Sequence, residues 1–162
     1  MKFYRLYLAM SFMVFVSLAI AAPYDLPKAE NFQTDAQISL ADKKPIVVFF
    51  TLPNCSYCRI VRYDYLLPLL KQRAGKDSPI IREISVTGQE LVSNFDGRRL
   101  TEAALAERFK VQMTPTIMFI NNEGEILTDS ILGGDHANYV ALFDRALEDA
   151  SKKMTGKRIR VR

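Results

Sequence analysis

The chain has 162 residues, 49% of them hydrophobic and 25% charged, with a net charge of +4, two cysteines, one histidine and no tryptophan. A chain of this length buries enough apolar surface to fold without staples, which excludes the small cysteine-rich secreted scaffolds. The charge is segregated, with 14 basic and 18 acidic residues between Ala22 and Ser151 and six basic residues in the closing KKMTGKRIRVR, so the body offers no nucleic-acid surface.

At the start, Lys2 and Arg5 precede an uncharged apolar stretch from Leu6 to Ala21 that ends Ala19-Ile20-Ala21, the pattern of a secretory leader cleaved after residue 21. An uncleaved anchor is the alternative, and either implies export. The remaining 141 residues suit one domain. Residues 22–33 read as an extended lead-in with two prolines. Thr34 is expected to cap a helix over Asp35 to Asp42 with Ile38 and Ala41 inward, stopped by Pro45. PIVVFFTL has the β-branched and aromatic content of a strand buried on both faces, and Pro53-Asn54 breaks it just before the cysteines.

From Ser56, Ile60, Val61, Tyr65, Leu66, Leu69 and Leu70 recur at helical spacing; Pro68 should kink or divide this helix near Asp64 to Leu67, and Gly75 should end it. SPIIREISV reads as a second strand, followed by a loop over 87–100 that is polar except for Leu91, Val92 and Phe95. Thr101 should cap a helix with Ala104, Leu105 and Phe109 inward. VQMTPTIMFI is a third strand interrupted by Pro115, NNEG a hairpin turn and EILTDSIL a fourth strand. After Gly133-Gly134, Asp135 should cap a last helix with Tyr139, Val140, Phe143, Ala146 and Leu147 on its apolar face, and His136 is a neighbour of that cap. Residues 152–162 read as a solvated basic tail, an anionic membrane surface or an acidic partner being the functional alternative. The order of elements implies an α/β fold with a parallel pair and an antiparallel hairpin in one mixed sheet.

Cys55 falls at the end of the first strand and the first turn of the next helix, where unpaired N–H groups and the helix dipole favour negative charge, and Cys58 lies one turn along. A thiol so placed can ionise at about pH 3.5 to 7.5 instead of about 8.5, and a second thiol one turn along can displace whatever the first captures. A purely structural disulfide over so short a loop would contribute only about 2 kcal/mol. Zinc would need four ligands, and the pair plus His136 supplies three; a copper(I) or heavy-metal carrier using Cys55 and Cys58 stands as the alternative to redox exchange.

A strand leading into Cys-x-x-Cys at a helix start, followed by a strand that begins Thr114-Pro115, resembles the thioredoxin family over residues 35 to 151, including the Glu123-Gly124 turn and Gly133-Gly134. The resemblance implies a thioredoxin fold, with 34–151 as its domain, and a thiol-disulfide oxidoreductase without bound cofactor beyond the Cys55–Cys58 disulfide. Cys55 would be the nucleophile and Cys58 the resolving residue. Pro115 would be cis beside them, with the backbone of Thr114 pairing to a substrate strand. Ser56-Tyr57 differs from the Gly-Pro of cytoplasmic thioredoxins and, with Thr114, is similar to exported disulfide isomerases, reductases and glutaredoxins. That favours reducing or isomerising protein disulfides in the periplasm, fed by a membrane thiol transporter.

Two departures stand out. Thioredoxins carry a buried acid six residues before the first cysteine, where this chain has Phe49, so no carboxylate is assigned as base. They also carry a tryptophan where Asn54 stands, so a different surface, from Tyr57, Met113 and the Phe95 loop, would meet substrate. That loop, longer than in thioredoxins, shapes partner choice or is a passive excursion packed by Val92 and Phe95. Arg59 and Arg62 either favour a thiolate or form an ordinary charged face. Tyr63, Tyr65, Phe119 and the methionines read as core or its rim.

Overall fold

The run Ile46–Thr51 forms β1, a strand with every residue buried, as a run of Val, Ile and Phe without alternation requires. The computed structural model describes residues 25–73, 78–134 and 137–156. The expected leader, Gly75, Asp135, His136 and the tail beyond Gly156 lie outside the described residues.

β1 lies at the centre of a four-stranded sheet in the order β2-β1-β5-β6, where β2 is Ile80–Ser85, β5 Thr116–Ile120 and β6 Ile131–Leu132. β2 pairs with β1 in parallel, Phe49 opposite Glu83, while β5 pairs with β1 and β6 antiparallel. The lead-in extends the sheet past β2: the Ala29 N–H donates to the Glu83 carbonyl and the Glu83 N–H to the Pro27 carbonyl, both at 2.9 Å. Alternation along β1 then sorts two cores. Val47 and Phe49 join Ile81, Ile117, Phe119, Cys58, Val61 and Phe143 on one face; Ile46, Val48 and Phe50 join Phe32, Ile84, Leu105 and Met118 on the other.

The first core is covered by α2 (Ser56–Ile60), a π-helical segment (Val61–Leu66), α3 (Leu67–Gln72) and α5 (Tyr139–Met154). The division follows from Pro68, which cannot donate to the Asp64 carbonyl and whose ring displaces it, so the preceding turns widen. Tyr65 stacks on Tyr139 at 4.6 Å between ring centroids and Phe119 is buried, but Tyr63 faces solvent rather than the core.

Other expectations need correction. α1 runs Phe32–Asp42 and is capped by Asn31, whose side chain accepts the Gln33 and Thr34 N–H groups, so Thr34 lies inside the helix. Its buried face is Phe32, Asp35 and Ser39; Ile38 and Ala41 are exposed, because Asp35 pairs with Arg82 of β2 at 2.5 Å and the Ser39 hydroxyl donates to the Lys44 carbonyl at 2.6 Å. The 87–100 segment contains a hairpin, β3 (Leu91–Ser93) with β4 (Arg99–Thr101), docked by a bridge from Asn31 to Ser93. The fourth strand is reduced to the two residues of β6 and a single bridge from Ile120 to Ile126. In α5 the N-cap position is Asn138, Val140 is exposed, and Lys152 and Lys153 belong to its last turn. Thr101 does cap α4 (Glu102–Arg108), its hydroxyl accepting the Ala104 N–H at 3.2 Å.

Candidate active site

β1 ends in a sharp turn at which Asn54 takes a left-handed conformation, φ 61°, one that asparagine tolerates better than most residues. Cys55 follows as the N-cap of α2, and its Sγ accepts the Cys58 N–H at 3.1 Å. That bond turns one of the otherwise unpaired amides of the first turn toward the sulfur, where it stabilises negative charge. The two cysteines are joined as a disulfide, with Cα atoms 5.2 Å apart. They differ in access: Cys55 is half-buried at the surface, whereas Cys58 is 1% exposed and packed in the first core.

Thr114 and Pro115 lie beside the pair. The Thr114 hydroxyl is 4.0 Å from the Cys55 sulfur, the Thr114–Pro115 peptide bond is cis, and Pro115 is buried. The Gly133 N–H donates to the Pro115 carbonyl at 2.8 Å, bringing Gly133-Gly134 onto α2. Gly134 is so close that a Cβ there would stand 3.0 Å from the Tyr57 carbonyl oxygen and 3.2 Å from Val61 Cγ2. The two glycines do more than interrupt the chain: Gly133 takes a left-handed turn, φ 77°, and Gly134, without a Cβ, lets the loop lie against the cysteine helix.

Tyr57 and Met113 are 53% and 48% exposed and, with the exposed Leu52, leave apolar side chains at the surface on the segments that flank the cysteines and Pro115. Phe95 is not part of that surface. It stacks on Phe32 at 4.9 Å within the second core, so the hairpin serves the opposite face of the sheet from Cys58.

Beside the cysteines is a pocket of about 380 Å³ open to solvent, lined by Cys55, Cys58, Arg62, Glu83 and Glu102 among others. Arg62 does not serve as a free cation for the thiolate: its Nε donates to Glu83 Oε2 at 3.0 Å and its terminal nitrogen to Glu83 Oε1, with its guanidinium 5.9 Å from the Phe49 ring centroid. Burial pushes the Glu83 carboxyl above the usual carboxylate range, against the opposing pull of Arg62. Arg59 also lines the cavity but is itself exposed. The sequence reading missed Glu83, although one signal was present. In IIREIS, Ile81 and Glu83 share a strand face, which places a carboxylate in line with a core residue. Among the described residues, no three His, Cys, Asp or Glu side chains gather into a metal-binding group, and no helix is long and apolar enough to cross a membrane.

A protein-family profile described as a thioredoxin-like domain matches residues 32–150. No curated protein matches the sequence. Among solved structures, one described as DsbH oxidoreductase shares 27% identity at a TM-score of 0.53, over 76% of this chain and 85% of that one. A thioredoxin of Fasciola hepatica shares 17% identity at a TM-score of 0.51, over 75% of this chain and 99% of that one, which is a likeness of fold.

Proposed function

The chain belongs to the thioredoxin-like domain family and is a thiol-disulfide oxidoreductase, and from that premise we propose that it reduces or isomerises disulfides of client proteins in the periplasm. The observation that carries this reading is the asymmetry of the pair: a reachable sulfur at a helix start, hydrogen-bonded to an N–H, above a buried partner one turn on. In the reduced protein the Cys55 thiolate attacks a client disulfide, forming a Cys55–client bond and releasing one client thiolate. Cys58, deprotonated, attacks Cys55; the mixed disulfide breaks, the second client thiolate leaves, and the Cys55–Cys58 disulfide forms. Two electrons pass to the client. Isomerisation uses the first step and its reversal.

The reducing or isomerising direction rests on Ser56-Tyr57 and Thr114 in place of the cytoplasmic thioredoxin pattern, while likeness to the DsbH oxidoreductase supports oxidoreductase chemistry in general. The apolar leader at residues 1–21 supports export. A reductant outside the cytoplasm needs an electron supply, so a membrane thiol transporter is the upstream partner, while Thr114, Pro115, Tyr57 and Met113 form the client-binding surface. A Cys58→Ser variant expressed with its leader tests this. It should accumulate client proteins as adducts on Cys55 in the periplasmic fraction, released by dithiothreitol and absent from a Cys55→Ser variant; equal recovery from both variants contradicts the reading.

A further inference from the structure

We propose that Glu83 is the proton acceptor for the Cys58 thiol in the resolving step, held in position by Arg62. The inference rests on the resolving role given to Cys58 above. Exchange requires a thiolate, and a thiol that is 1% exposed and set among apolar side chains ionises less readily than a free one. A nearby base therefore decides how fast Cys58 can act at neutral pH.

The open pocket that Cys55 and Cys58 line is also lined by two carboxylates, Glu83 and Glu102. Glu102 comes from the other side of the sheet: it opens α4, whose Leu105 and Ala106 pack in the second core, and its Oε1 accepts the Ser85 N–H at 3.0 Å. Glu83 is placed differently. It lies on the face of β2 shared with Ile81, directly opposite Phe49, on the side of the sheet that carries Cys58. Its side chain is only 14% exposed, and its hydrogen bonds come from Arg62, one helical turn beyond Cys58.

The other charges around Glu83 are few. Asp25 of the lead-in approaches Arg62 Nε at 3.8 Å, Lys28 lines the cavity but pairs with Glu90 at 3.1 Å, and Arg59 and Glu102 complete the lining. Burial raises the Glu83 carboxyl above the usual carboxylate range, the direction that makes a carboxylate a better proton acceptor, while Arg62 pulls the other way. In the step itself the Cys58 S–H proton passes to a Glu83 carboxylate oxygen. The sulfur electron pair forms the bond to Cys55, the Cys55–client bond breaks toward the client thiolate, and protonated Glu83 returns its proton through the cavity to solvent or to that thiolate.

Reduced protein mixed in stopped flow with one equivalent of dithiobis(nitrobenzoate) resolves the two steps, since nitrothiobenzoate leaves once when Cys55 attacks and again when Cys58 displaces it. Glu83→Gln should leave the first release nearly intact and slow the second by about a hundredfold at pH 7, the two proteins converging at alkaline pH where Cys58 ionises unaided. Arg62→Met keeps the carboxylate but removes its cation, so the midpoint of the second-phase pH profile should move upward, which a loss of packing alone would not produce. Second-phase profiles that coincide in wild type and Glu83→Gln, an unmoved midpoint in Arg62→Met, or an equal loss in Glu102→Gln would each overturn the assignment. Cys58→Ser separates this from the underlying reading: it should show no second release, and a second release at the wild-type rate would remove the resolving role itself.

Discussion

Replacing Gly134 by alanine tests whether the Gly133-Gly134 loop is seated against the cysteine helix. The new Cβ would meet the Tyr57 carbonyl oxygen at 3.0 Å, Tyr57 Cβ at 3.1 Å and Val61 Cγ2 at 3.2 Å, all tighter than ordinary van der Waals contact. No long flexible side chain can yield here. Relief must come from the first turn of α2, from the buried Val61, or from the loop held by the Gly133 bond to Pro115. Overpacking of this kind costs about 1–3 kcal/mol. Urea unfolding of oxidised and reduced Gly134→Ala should show that loss, and reduction of a disulfide client should slow, since the displaced atoms belong to the turn that carries both cysteines. A variant as stable and as active as wild type would refute the close approach on which this geometry depends.

Thr101→Ala removes the oxygen that accepts the Ala104 N–H and should cost about 1 kcal/mol in urea unfolding, with the thiol chemistry unchanged. Glu83 makes stability depend on pH with a definite sign. Its carboxyl is raised above 4.5 in the folded protein, so the folded state holds the proton more tightly than the unfolded state. Its contribution is complete below about pH 4.5 and is lost as pH rises through the folded value, so the stability of wild type relative to Glu83→Gln should fall across that window. A difference that grows with pH contradicts the burial-driven shift.

The central strand, the Thr101 cap, the division of the helix at Pro68 and the cysteine pair were readable because each is written in local chemistry: an unbroken apolar run, an oxygen before a helix, a missing donor, two thiols one turn apart. The buried face of α1 was not, because periodicity counts apolar residues, while this helix docks through Asp35 and Ser39 as well as Phe32, leaving Ile38 and Leu40 in solvent. The hairpin of β3 and β4 eluded the pattern because strands of three residues are too short to show alternation. Glu83 was hidden for another reason. A single charge in a strand looks solvent-facing until register sets it opposite Phe49 and the helix brings Arg62 over it.

The account as a whole depends on Cys55 being an unusually acidic thiol. The pH dependence of iodoacetamide alkylation of the reduced protein, with the labelled residue located by peptide mass, measures this directly. Cys55 should be the residue modified and should ionise below about pH 7.5, ahead of the buried Cys58. A midpoint near the free-thiol value of about 8.5, or modification of both cysteines at equal rates, would contradict it.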